Sequence, residues 1–209
     1  MSLLQALKWR YATKKFDIDK RLSASSVDAL LQAANLAPSS FGLQPYRIVN
    51  VASSALREQL AATTRNPDQV NSASHLLVFA ASSSVGSEDV AAFLDRVARL
   101  RQVERASLAA RETQIAGAVG KLEGASSLAW AQRQAYIALG VLVAAAAEAG
   151  IDACPMEGFD ARAVDRILGL DAQGYRASAF VLLGHRAGDD PAAAQAKVRK
   201  PLEELVVTV

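Results

Sequence analysis

Chemistry-bearing residues concentrate in four short segments. The first, RYATKKFD from Arg10, sets Arg10, Lys14 and Lys15 beside a threonine and two aromatic residues. Guanidinium and ammonium groups so spaced can grip a phosphate and hold a further cation away from it, because a phosphate dianion takes several charge-assisted hydrogen bonds. KVRKP, from Lys197, is a second basic cluster near the other end. On charge alone each is a solvated basic surface. They gain meaning only together, since chain termini often lie close in a folded domain.

The other two segments are polar connections. APSSFGLQPY, residues 37–46, joins a helical pattern to a strand pattern, and its serines, glutamine and prolines offer polar contacts on a stiff backbone. An ordinary helix-to-strand loop is the simpler reading, although the connection is long for one. CPMEGFD, residues 154–160, leads from an apolar strand into a helix. Gly158 lets backbone approach a ligand, and amides around Glu157 and Gly158 can point at a heteroatom. A plain strand-to-helix turn is an equal reading.

Other chemistries lack their residues. Gly117 to Leu122 has the wrong spacer for a phosphate loop, no Ser or Thr after Lys121 and no preceding strand. Neither GxGxxG nor GxSxG occurs. His75 and His185 sit far apart at strand edges and read as structural, and a lone Cys154 in a buried strand reads as a small hydrophobe.

Composition bounds the class. The chain has 209 residues, 51% of them hydrophobic, enough for one α/β-sized domain spanning 1–209 with a sizeable core. Lys and Arg number 23 against 21 acidic residues, and a formal charge of +2 argues against a nucleic-acid-coating surface. One cysteine forbids an intrachain disulfide and fits a reducing cytosol. The opening residues lack a signal-peptide core. The apolar run from Ala135 to Ala147 falls short of the about 20 residues of a membrane span. A cytoplasmic protein with no membrane partner is expected.

Elements that must position the four segments can be read in order. Leu3 to Trp9 is a short helix, and Ser23 caps a second that runs to Ala37 with Val27, Leu30, Leu31 and Ala34 on one face. Tyr46 to Ala52 reads as a strand, followed by a helix capped by Ser53 or Ser54. His75 to Ser82 is a strand covered on both faces. Charged helix fills Glu88 to Lys121, broken near 105–107. Ser127 opens a long helix that ends at Gly150, whose Gly140 and alanines permit close approach of another helix. Ile151 to Pro155 and Ala177 to Gly184 are strands on either side of a helix capped by Asp160. Leu202 to Val209 has strand character and suits pairing with another protomer. The order implies a three-layer α+β domain, not a parallel Rossmann alternation.

The four segments in this order, RxxTKxFD, APSSxxxQPY, PxEGFD and KxR, together with a long helix beginning WAQRQAY at Trp130, resemble the nitroreductase family over essentially the whole chain. That resemblance implies a central, mostly antiparallel sheet flanked by helices, and a homodimer with swapped C-terminal extensions and FMN at its interface. Arg10 and Lys14 would contact FMN, with Tyr11 and Ala12 between them. Arg10 would reach the phosphate, and Lys14 the N1 and C2-carbonyl edge. Lys197 and Arg199 would complete the phosphate site. Pro38, Ser39 and Ser40 would reach the flavin from the partner subunit. Pro155, Met156, Glu157 and Gly158 would line the ring, the last two near N5, and Asn66 and Gln69 would add polar ring contacts.

The flavin would supply the chemistry, so no metal or catalytic triad is required. NADH or NADPH and a small acceptor such as a nitroaromatic or quinone would take turns in one pocket, a ping-pong cycle. One alternative keeps the fold, a flavin or enone/quinone reductase; another, from a different class, is a flavin-binding or regulatory protein that holds FMN without turnover. A helical interaction protein with no ligand is a third. Ala12 stands where many relatives carry a cofactor-bonding Ser, and no aromatic lies between Phe93 and Trp130 in the stretch that walls the substrate in the family.

Overall fold

The structure, a computed structural model, describes residues 2–209. Helix α1 (Leu3–Trp9) opens on a capping box in which Ser2 and Gln5 satisfy each other's backbone amides. Helix α2 (Ala24–Asn35) is capped by Ser23, and a 3-10 turn leads into strand β1 (Tyr46–Asn50). Two helices follow, α3 (Ser54–Ala61) capped by Ser53 and α4 (Pro67–Ser72). Strand β2 (His75–Ser82) precedes a helical pair, α5 (Ser87–Arg101) and α6 (Ala109–Val119), broken by a 3-10 turn at Arg105–Leu108. The long helix α7 (Ala125–Glu148) feeds strand β3 (Asp152–Met156). Helix α8 (Ala161–Leu168), capped by Asp160, precedes strand β4 (Tyr175–Gly184), and a last turn of helix, α9, spans Leu202–Leu205.

The sheet order is β1-β2-β4-β3, and every strand pairing is antiparallel. Alternation along β2 explains the three layers. Leu77 and Phe79 pack with α2 and α7 residues Leu30, Ala138 and Leu142 on one face. Leu76 and Val78 pack with Leu60, Val70 and Val164 of α3, α4 and α8 on the other. A strand covered on both faces has no polar side to show, hence its unbroken apolar run. A third cluster joins α5 and α6 through Leu94, Ile115 and Val119, with Phe93 and Trp130 packed against it. Those two aromatics serve that packing.

One expectation needs correction. Helix α7 begins at Ala125, and Ser127 lies buried inside its first turn, where its Oγ accepts from the Val85 amide at 3.1 Å. Gly140 itself meets open space, whereas Ala138 and Ala146 of α7 pack in one cluster with Val27, Leu30 and Ala34 of α2, the close approach that small residues permit. The tail after Leu202 forms one helical turn followed by extended residues that pair with no strand among the described residues. A β-rich pattern becomes a strand only beside a partner. Gly150 does take the left-handed position after α7, at φ +69°.

Candidate functional site

The segment Arg10–Asp17 lies against the sheet margin. Ala12 makes a parallel bridge to Ala153 of β3, and Phe16 bridges Arg186 beyond β4. Thr13 and Phe16 turn inward and are buried, leaving Lys14 and Lys15 outside. One carboxylate fixes this path. Asp190, only 5% exposed, accepts from Tyr11 Oη and the Lys14 amide, both at 2.9 Å, and from the Lys15 amide at 3.3 Å. Its other oxygen accepts from the Ala192 amide at 3.0 Å, so the same group starts the C-terminal segment. Nearby, buried Asp152 accepts from Arg186 Nε and from the Arg186 amide, each at 2.8 Å. The Arg186 guanidinium lies over the rings of Trp9 and Tyr11 at 4.3 and 4.6 Å.

These contacts bring the two basic clusters together. Arg10, Tyr11, Ala12, Lys14, Pro155, Lys197 and Arg199 line one cleft of ≈ 590 Å³. Arg10 Nε is buried there with no hydrogen-bond partner among the described residues. Burial and neighbouring Arg199 pull the Arg10 guanidinium below its usual range. Burial and the charges of Arg10 and Arg199 pull Lys197 down as well. Among the described residues no carboxylate pairs with Arg10, Lys14, Lys197 or Arg199. Lys197 Nζ donates to the carbonyls of Leu7, at 2.6 Å, and Arg10, which ties the tail to the end of α1. Clustered cations that weaken one another, with a buried guanidinium donor left over, suit a phosphate dianion.

Lys14 also lines a second cleft of ≈ 380 Å³ with Arg65, Asn66, Pro67, Asp68 and Gln69. Asn66 occupies the cap position of α4. Gln69 is 4% exposed, and its Nε2 donates to the Thr13 carbonyl and lies 3.2 Å from Cys154 Sγ. Burial pushes the Cys154 thiol up, as suits a packing residue. The loop after Pro155 is held from both sides. Glu157 Oε1 accepts from Tyr136 Oη at 2.8 Å, Phe159 stacks on Phe180 at 4.2 Å, and the Asp160 amide donates to the Thr63 carbonyl at 3.0 Å. A Cβ at Gly158 would meet open space, so this stretch is accessible to a ligand.

Pro38, Ser39 and Ser40 line neither cleft. The Ser40 amide donates to Gln134 Oε1 of α7 at 2.8 Å, and Ser39 Oγ accepts from the Gln44 amide at 3.1 Å. Phe41 and Gln44 have positive φ, 57° and 47°, an uncommon state for such residues. Met156, Glu157 and Gly158 follow Pro155 out of the first cleft without lining it. The residues that fix the segments around the cleft, Asp152, Arg186 and Asp190, escaped the sequence reading. Asp190 had one signal, an acidic pair before Pro191 close to the second basic cluster.

Residues 7–185 match the model of the Nitroreductase family. The chain belongs to the nitroreductase family. A Staphylococcus haemolyticus protein named as an NAD(P)H nitroreductase is 31% identical over 215 residues, covering 98% of this chain and 96% of its own. A Staphylococcus epidermidis structure described as an NAD(P)H:FMN oxidoreductase superposes with a TM-score of 0.87 at 21% identity, covering 100% of this chain and 96% of its own. An Exiguobacterium sibiricum nitroreductase structure, in complex with FMN, gives 0.85 at 18% identity, covering 100% and 98%. All three names are themselves assignments by inference. The two structures establish the nitroreductase fold, a three-layer α+β architecture. Among the described residues no helix is long and apolar enough to cross a membrane.

Proposed function

We propose that this chain is an FMN-dependent oxidoreductase that passes electrons from NADH or NADPH to a small acceptor, such as a nitroaromatic or quinone, in a ping-pong cycle. The observation that carries this reading is the cation-lined cleft, where among the described residues buried Arg10 Nε lacks a partner and no carboxylate pairs with Arg10, Lys14, Lys197 or Arg199. Arg10 and Arg199 would grip the FMN phosphate, with Lys197 bracing the tail that carries Arg199. Lys14, which lines both clefts, would face the ring edge where negative charge accumulates on reduction and favour that state. Asn66 and Gln69 would bound the ring side, and Pro155 to Gly158 its N5 edge. Bound FMN would supply the hydride chemistry.

Pro38, Ser39 and Ser40 lie outside these clefts, consistent with service to the site of a second copy. Apolar side chains left in water support a homodimer. Leu3, Leu4 and Leu7 on α1, Ile137 on α7, and Leu205 and Val207 in the tail are all exposed.

Purified protein is expected to be yellow, to bleach with NADH or NADPH, and to recover colour with nitrofurazone or menadione. Colourless protein that takes up no FMN would falsify the reading. Yellow protein that neither nucleotide bleaches would instead be an FMN-binding protein without turnover.

A further inference from the structure

Strand β4 carries one residue more than β2 at its middle. Phe79 pairs with Ala179 and Ala80 with Ala177, so Ser178 has no residue opposite it. A bulge takes a backbone group out of the ladder and re-aims it. Here the single Tyr136 Oη proton is shared between two acceptors, Glu157 Oε1 at 2.8 Å and the Ser178 carbonyl at 3.1 Å. Tyr136 projects from α7 between buried Ala135 and Leu139. The phenol is therefore set by a packed helix and a strand irregularity, not by a loop.

We propose that Tyr136 is a positioning residue that keeps the Glu157 carboxylate turned away from the flavin while the Glu157 and Gly158 amides face it. This rests on the cofactor reading given above. An amide N–H and a carboxylate act oppositely on a ring that gains electrons, since the first stabilises added negative charge and the second repels it. Glu157 carries both groups. Among the described residues it has no cationic partner within 4.0 Å, so Tyr136 is what holds its side chain. Burial and the adjoining carboxylate push the Tyr136 phenol well above its usual range, which keeps it a donor. The backbone has other anchors, the Phe159–Phe180 stack and the Asp160–Thr63 bond. Losing the hydroxyl releases the carboxylate and leaves the loop in place.

The test is a double-mutant cycle read as the midpoint potential of bound FMN. Tyr136→Phe is expected to shift the potential negative by on the order of a tenfold change in the reduced-to-oxidised ratio, about 30 mV for a two-electron couple. In a Glu157→Gln background the same substitution is expected to shift nothing, because no charge remains to swing in. The dissociation constant of oxidised FMN should match between wild type and Tyr136→Phe, and only that of reduced FMN should rise, in step with the potential. An unshifted potential in Tyr136→Phe overturns the proposal. So does an equal shift in both backgrounds or weakened binding of oxidised FMN, either of which marks a merely structural role. Wild-type protein that binds no FMN would fail the cofactor reading instead, a distinguishable result.

Discussion

At the scale of single residues, a buried acid organises a basic site. Asp190 receives Tyr11, Lys14, Lys15 and Ala192. Burial pushes its carboxyl up, but the amides of Ala192 and Lys14, the Tyr11 phenol and the Lys15 amide outweigh that, and it settles below its usual range. A lowered folded pKa means that its contribution to stability is complete above the unfolded value of about 3.9 and is lost as pH falls through the folded value. Asp190→Ala leaves several donors without an acceptor and is expected to cost about 3 kcal/mol in urea denaturation at pH 7. Its deficit relative to wild type should shrink as pH drops below about 4. Among the cations, Arg199→Ala is expected to weaken FMN retention by roughly tenfold or more, read by equilibrium dialysis. Lys14→Ala should make the flavin potential more negative, and an unchanged potential would remove Lys14 from the N1 edge. The two basic clusters were legible as segments but not as one site, because charge alone reads as solvated surface and only the fold brings them into one cleft. Asp190 was not legible, because an acid in a polar turn looks the same whether it faces water or four donors.

At the scale of elements, legibility followed the strength of the local signal. Ser23, Ser53 and Asp160 each cap the helix that their side chains announce, since little else satisfies the first free amides. Strand β2 was plain because both of its faces are covered. Helix α4 was missed. Its Asn-Pro-Asp opening reads equally as a turn, and only the burial of Gln69 and Val70 settles it as a helix. The bulge at Ser178 was also invisible, since one extra residue in an apolar strand leaves no mark in composition. Phe180, fully buried and stacked on Phe159, couples that strand to the Glu157 loop. Phe180→Ala is expected to cost about 3–5 kcal/mol in chemical denaturation, and hydrogen exchange should quicken around residues 157–160.

At the scale of the whole molecule, the three layers followed from the order of the elements and from strands too apolar to face water, whereas the antiparallel sheet came only from the family resemblance. The placement of the tail did not follow, because its β pattern lacks a neighbour inside one chain. Deleting residues 201–209 is expected to move the protein toward monomer in sedimentation velocity; an unchanged sedimentation coefficient would show that the tail holds no second copy. The Asp190 clamp has a temporal consequence as well. It joins Lys14 to a residue 176 positions away, and closing so long a loop forfeits chain entropy until the intervening elements bring its ends near. During synthesis, β1 to β4 can pair before Asp190 leaves the ribosome, whereas the cleft cannot close until residues 190–199 have emerged. A ribosome stalled short of that point should display a folded sheet that is blind to FMN.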